Sequence, residues 1–175
     1  INRGVRRSWS GSVEAELWLL SEPVLLRIMA FAWLNISAQL LLKPAGPVIS
    51  GLAEGIDAAA HRGCLAAGGV PVAVLGTSLD RVYPRHHQSL QQDVAENGLL
   101  LSERRPGESV QPGHFAARNR LLVCLSCALV VVECPDRSGA LISARLAAEQ
   151  QFPVWVVPGD AGRWSSRGSN TVSYT

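Results

Sequence analysis

From residue 47 onward, short apolar runs alternate with segments of helix length. The apolar runs are "PVISG" (47–51), "VPVAVLG" (70–76), "LLLSE" (99–103), "ALVVVE" (128–133) and "PVWVVPG" (153–159). All are of strand length and most are rich in β-branched residues. Between them lie "GIDAAAHRGCLAAGG" (55–69), "PRHHQSLQQDVAENG" (84–98), "HFAARNRLLVCLS" (114–126) and "SGALISARLAAEQ" (138–150). The first closes on two glycines that suit a helix C-cap, and the second opens on Pro and closes on Asn-Gly. Apolarity that is continuous rather than alternating means strands buried on both faces, hence parallel strands. The pattern predicts βαβ units in a doubly wound, Rossmann-like α/β sandwich of three layers with a mostly parallel sheet.

Residues 1–46 lack this regularity. "INRGVRRSWSGSVEAELWLLSEP" scatters Trp and Arg with no clear period. "VLLRIMAFAWLNISAQLLL" (24–42) nearly reaches membrane-spanning length, but it carries Arg27, Asn35 and Gln39. Those polar groups are costly in lipid, so the stretch predicts a buried or amphipathic helix and no membrane association. The chain therefore divides into a divergent segment, 1–46, mostly helical or irregular, and an α/β domain, 47–175. No strand ending in a glycine turn is legible before "PVISG". The loop "ERRPGESVQPG" (103–113) reads as an exposed loop within the domain.

A chain of 175 residues suffices for one domain with a real core, and 47% apolar content speaks against disorder. The net charge is only +2, so any footprint for an anionic partner must be local. Cys124 and Cys127 form a C-x-x-C, but no second ligand pair follows and the stretch is apolar throughout. They read, with Cys64 and Cys134, as small hydrophobes rather than metal ligands. With no secretory pattern, a reducing cytoplasm is the expected compartment.

In such a sheet, ligands bind outside the carboxyl ends of the strands. Every candidate falls there: Gly51 and Glu54-Gly55-Ile56-Asp57 after the first run, Gly76-Thr77-Ser78 after the second, Asp136-Arg137-Ser138-Gly139 after "ALVVVE", and "DAGRWSSRGSN" after the last. Small residues at helix starts leave backbone N–H groups open to an anion such as phosphate. Ser138 suits either a helix cap or a ligand contact. In "HFAARNR", Arg118 suits a bidentate phosphate contact and Phe115 a stacked base, the alternative being a core Phe and solvated arginines. Arg118 and Arg120 point to different faces, so one can bind ligand while the other pairs with an acid such as Glu133. Arg163 and Arg167 extend the basic rim. Asp57 and His61, four apart, can touch, as an acid–base pair or as a structural contact. His86 and His87 are expected to face solvent. No nucleotide-binding glycine motif, catalytic triad or metal cluster stands out, so no cofactor is expected.

Six segments, "VISGLAEGIDAAAH", "AVLGTSLDRVYP", "LLSERRPG", "HFAARNRLL", "LVVVECPDRSGALISARLAAEQ" and "VWVVPGDAGRWSSRGSN", resemble in order and spacing the DNA-processing protein family DprA, also called Smf. The resemblance covers residues 47–170. It implies a Rossmann-like protein that binds single-stranded DNA, protects incoming strands in natural transformation, forms a homodimer and loads the recombinase RecA, without being an enzyme. It places Arg118, Arg120, Ser138, Gly139 and Ser143 in the DNA-facing pocket, with Gly51 at a strand end. Asn119, Ser166, Gly168 and Asn170 complete the rim, and Phe115 is a base-contacting or wall aromatic. The family's first strand and its Gly-Thr-Arg-like turn have no counterpart in "INRGVRRSWSG", so the sheet is expected to lack that strand, with residues 1–46 derived from a frameshifted or degraded reading frame. The domain is also expected to be short at its C-terminal end. Two other readings stand beside this one. One is an enzyme cleaving nucleoside monophosphates with Glu54 or Glu133 as its acid; the other is a fragment without function.

Overall fold

A computed structural model describes residues 28–30 and 46–172 apart from Pro158. The strands are β1 (Ile28–Ala30), β2 (Val48–Ser50), β3 (Pro71–Leu75), β4 (Leu99–Ser102), β5 (Ala128–Val131) and β6 (Val154–Val156). The helices are α1 (Ile56–Ala66), α2 (Gln88–Asn97), α3 (Pro112–Cys124), α4 (Gly139–Glu149) and α5 (Arg167–Val172). Single 3-10 turns at Arg85–His87 and Trp164–Ser166 precede α2 and α5.

The six strands lie in the order β4-β3-β2-β1-β5-β6, and every neighbouring pair is parallel. The chain steps outward from β1 through β2 and β3 to β4, then crosses back to lay β5 on the other side of β1. The strand order thus reverses between β1 and β5, which is where a doubly wound sheet opens a crevice.

The strand β1 corrects two expectations. The sheet does not lack its central strand: Ile28–Ala30 pairs with β2 on one side and with Ala128–Val130 of β5 on the other. The helix expected over 24–42 is replaced at 28–30 by this strand, and the rest of that stretch lies outside the described residues. Ile28–Ala30 is apolar on every residue, which satisfies a doubly covered strand as well as a buried helix, so period could not separate the two there.

Side chains leave β2 and β3 alternately for the two faces. Ile49, Val72 and Val74 meet Leu122 and Val123 of α3 and Ala140, Ala144 and Ala147 of α4. On the opposite face Ala73 and Leu75 meet Leu52, Ala58 of α1, and Leu90 and Val94 of α2. These are the three layers that the pattern predicts. The helix α1 ends as its glycines require: Gly68 has φ +69°, Gly68 N–H donates to Leu65 O, and Gly69 N–H to Cys64 O. This is a paired C-terminal cap that a β-carbon at Gly68 would strain. Of the cysteines, Cys64 and Cys134 are buried as expected, but Cys124 is exposed and Cys127 half-buried. Cys124 is the last residue of α3, where the helix leaves the core.

Candidate nucleic-acid interface

A cleft of about 700 Å³ opens at the carboxyl edge of the sheet. Its walls come from the loop after β2 with the start of α1, the first turns of α3, and the loop from β5 into α4, with Ser165 at one end. A smaller hollow of about 250 Å³ adjoins it and shares Ala53, Glu54 and Phe115.

Arg118 lines the cleft from α3 but is 7% exposed. Its Nη1 donates to Val74 O at 2.5 Å, just past the last β2–β3 pair, Ser50–Ala73. The guanidinium lies against Gly51, where a β-carbon would stand 1.8 Å from Nη1. Burial lowers the Arg118 pKa, and the Asp57 carboxylate opposes that shift; a guanidinium stays charged in proteins all the same. The two-pronged phosphate grip expected of Arg118 is therefore restricted, because Nη1 is already committed to the sheet.

The loop after β2 is not open to an anion in the way its small residues suggest. Asp57, in the first turn of α1, accepts from Gly51 N–H at 3.0 Å and from Ala53 N–H at 3.1 Å. The protein's own carboxylate fills that nest. His61 is fully buried, and its pKa is lowered to about 4 by burial, with Arg118 and His87 adding to the shift and the nearby Ser50 backbone opposing it. His87 is buried too, with Nδ1 3.1 Å from Leu52 O, which corrects the expectation that it faces solvent. His86 does face solvent and pairs with Glu54 at 3.4 Å.

At the start of α4, Ser138 Oγ accepts from Ala140 N–H at 3.2 Å, so it caps the helix. That leaves its own O–H to donate into the cleft. Asn119 Nδ2 donates to Gly139 O at 3.1 Å and ties α3 to α4 across the cleft. Glu133 also lines it, holding the Ser165 hydroxyl and lying 3.7 Å from Arg163 Nε.

A family model described as DNA recombination-mediator protein A matches residues 30–174. The chain belongs to the DNA recombination-mediator protein A family. Protein Smf of Synechocystis sp. is 44% identical over 126 residues, 72% of this chain and 32% of that protein. DNA processing protein DprA of Streptococcus pneumoniae is 44% identical over 112 residues, 64% of this chain and 40% of that protein. The chain thus spans 32% to 40% of the length of these relatives. The X-ray structure of DprA from S. pneumoniae superposes with a TM-score of 0.76 at 34% identity, covering 90% of this chain and 58% of that one. A structure of DNA processing protein A from Helicobacter pylori, concerned with its single-stranded DNA binding mode, gives 0.74 at 31%, covering 90% and 74%. These matches establish the Rossmann-like fold and the family.

Set out on the family's fold, the candidate residues separate into two groups. Phe115, Arg118, Asn119, Ser138 and Gly139 line the cleft together. Gly51 faces the smaller hollow. The others do not line the cleft. Ser143 is wholly buried on α4. Gly168 packs on the loop after β5, where a β-carbon would meet Pro135 O at 2.6 Å, and its N–H donates to Cys134 O. Ser166 is buried beside Gly159. Asn170 gives and takes a hydrogen bond with the Gly159 backbone, at 3.1 Å each, and so pins the loop after β6. Arg120 is exposed and pairs with Glu103 rather than Glu133. Ser143, Ser166 and Gly168 are each enclosed by neighbouring backbone or helix and do not face the cleft. Cleft residues that sequence reading did not single out include Ala53, Pro112, Leu122, Pro135 and Ala140. Apolar side chains and prolines carry no chemical signal, and only folding places them in one wall.

Proposed function

We propose that this chain binds single-stranded DNA, without catalysis, in the cleft outside the β1/β5 switch point. The observation that carries this reading is the meeting of a charged guanidinium, Asn119, the capped start of α4 and the Phe115 ring in one cleft. Phosphate oxygens are served by Arg118, the Ser138 hydroxyl and the Gly139 N–H at the first position of α4. Bases are served by the aromatic wall. Arg137, exposed in the turn before Ser138, lines a neighbouring hollow that shares Ser138 and Gly139 with the cleft and adds charge there. The wider role follows from family membership and is proposed with it: protection of incoming strands in transformation, loading of RecA, self-association as a homodimer, and action in the cytoplasm.

Titration of a labelled oligonucleotide at several salt concentrations tests the reading. The logarithm of the binding constant should fall linearly with log salt. Arg137→Ala should reduce that slope by roughly one without changing the fold. Arg118→Ala should weaken binding at least about tenfold, with circular dichroism reporting whether the fold survives. Salt-independent binding, or none, overturns the proposal.

A second reading is favoured by one observation: Glu54 and Glu133 line the same cleft. Two carboxylates facing a nucleotide-sized space suit cleavage of a nucleoside monophosphate. Release of adenine from AMP by purified protein, lost in Glu133→Gln, would carry that reading; no release discards it.

A further inference from the structure

The smaller hollow is lined by Gly51, Ala53, Glu54, Leu75, Gly76, Thr77, Tyr83, Pro84 and Phe115, and no phosphate contact proposed above uses its aromatic wall. Tyr83 forms that wall. It is 51% exposed, yet its ring sits 5.0 Å from the Phe115 ring at a 45° tilt. The segment behind it is anchored. Pro84 follows directly, the next turn leads into α2, and His87 is held to Leu52 O. An aromatic half in water and fixed from behind presents a pre-ordered face at little entropic cost.

The floor of the hollow is backbone. A β-carbon at Gly76 would stand 2.6 Å from Phe115 Cδ1, so glycine is what lets the Phe115 ring lie over the end of β3. The polar groups of Thr77 are already engaged: Oγ1 donates to Arg81 O at 3.1 Å, and its carbonyl accepts from Ser102 Oγ at 2.6 Å. The hollow therefore offers a stacking face and a flat floor but few spare groups to read a base edge. It opens beside the main cleft through Ala53, Glu54 and Phe115.

We propose that this hollow takes one unstacked nucleobase of the bound strand, with Tyr83 as its stacking partner. The inference rests on the DNA-binding reading above and adds a base subsite, a residue and a reason for single-strand preference. A paired base is not free to enter, whereas an unpaired one enters whatever its identity, since every base has a π-face.

The test uses a thymidine oligonucleotide carrying one 2-aminopurine, whose fluorescence is quenched by stacking, with a salt series in parallel. Wild type should bind with quenching at one position of the probe. Tyr83→Ala should weaken binding roughly 5- to 150-fold and lose the quenching, while the salt slope stays that of wild type. Tyr83→Phe should restore both affinity and quenching. If wild type and Tyr83→Ala bind alike with the same salt slope, the base subsite is refuted and the phosphate reading stands. If Tyr83→Ala also loses the salt slope, Tyr83 acts through the phosphate grip and the subsite is again refuted. If wild type shows no salt-dependent binding, both readings fall together.

Discussion

Arg118 shows how one residue can be legible as chemistry yet misread as geometry. Its place in "ARNR" marked it as a ligand contact, and it does line the cleft. Its bond to Val74 O and its packing on Gly51 are invisible in sequence, because Gly51 and Val74 lie 67 and 44 residues away and meet it only across the sheet. His61 was read as able to touch Asp57; the structure makes it a buried neutral imidazole near a guanidinium. That yields a pH prediction. The folded-state pKa, about 4, lies below the ordinary 6.5. Between those values the unfolded chain binds a proton that the folded chain does not. The stability from neutral His61 is therefore complete above pH 6.5 and drains away as pH falls toward 4, by up to about 3 kcal/mol. Urea unfolding of wild type and His61→Leu across pH 4–7 should show a flatter profile for the variant. Parallel profiles would mean that His61 does not titrate in this way.

At the scale of elements, the helix and strand runs after residue 47 fold where the pattern put them, with ends shifted by a few residues and α3 starting at Pro112, inside the expected loop. Those runs carry their own punctuation, Gly68-Gly69 after α1 and Ser138 before α4, so local chemistry decides them. Two elements escaped. The helix α5 grows from "RGSNTV", which has no apolar period and is held by backbone bonds to Cys134. The strand β1 escaped because three successive apolar residues, Ile28–Ala30, suit a doubly covered strand as well as a turn of buried helix. Ser138→Ala should cost about 1 kcal/mol by loss of the α4 cap. Thermal unfolding reads that cost, and oligonucleotide affinity measured well below the midpoint reads the second role. A loss of binding beyond the stability cost assigns the Ser138 hydroxyl to the ligand, and unchanged binding confines it to the cap.

At the scale of the whole molecule, the sheet depends on a strand of three residues at its centre. Both edges of β1 are paired, with β2 at Ile28 and with β5 along all three residues. Met29→Pro removes one donor and places a ring between two parallel neighbours, which a central strand does not accommodate. The variant should lose cooperative unfolding by circular dichroism. A sharp transition near that of wild type would mean that the sheet holds without β1. The position of the cleft is likewise a property of the whole. It lies where the strand order reverses, and no single segment contains that information.

What the sequence determined by itself was the fold class, the family, the bounds of most elements and the chemical types gathered at the strand ends. Those follow from local periodicity and from short motifs that act within their own turn or cap. Tertiary structure alone decided that Ile28–Ala30 closes the sheet, that Asp57 fills the first anion nest, that Ser143, Ser166 and Gly168 are walled in, and that Tyr83 stands over a hollow. Each of these depends on contacts between residues far apart in the chain. Such contacts are set by which faces of helix and sheet come together, and a residue's own neighbours do not encode that.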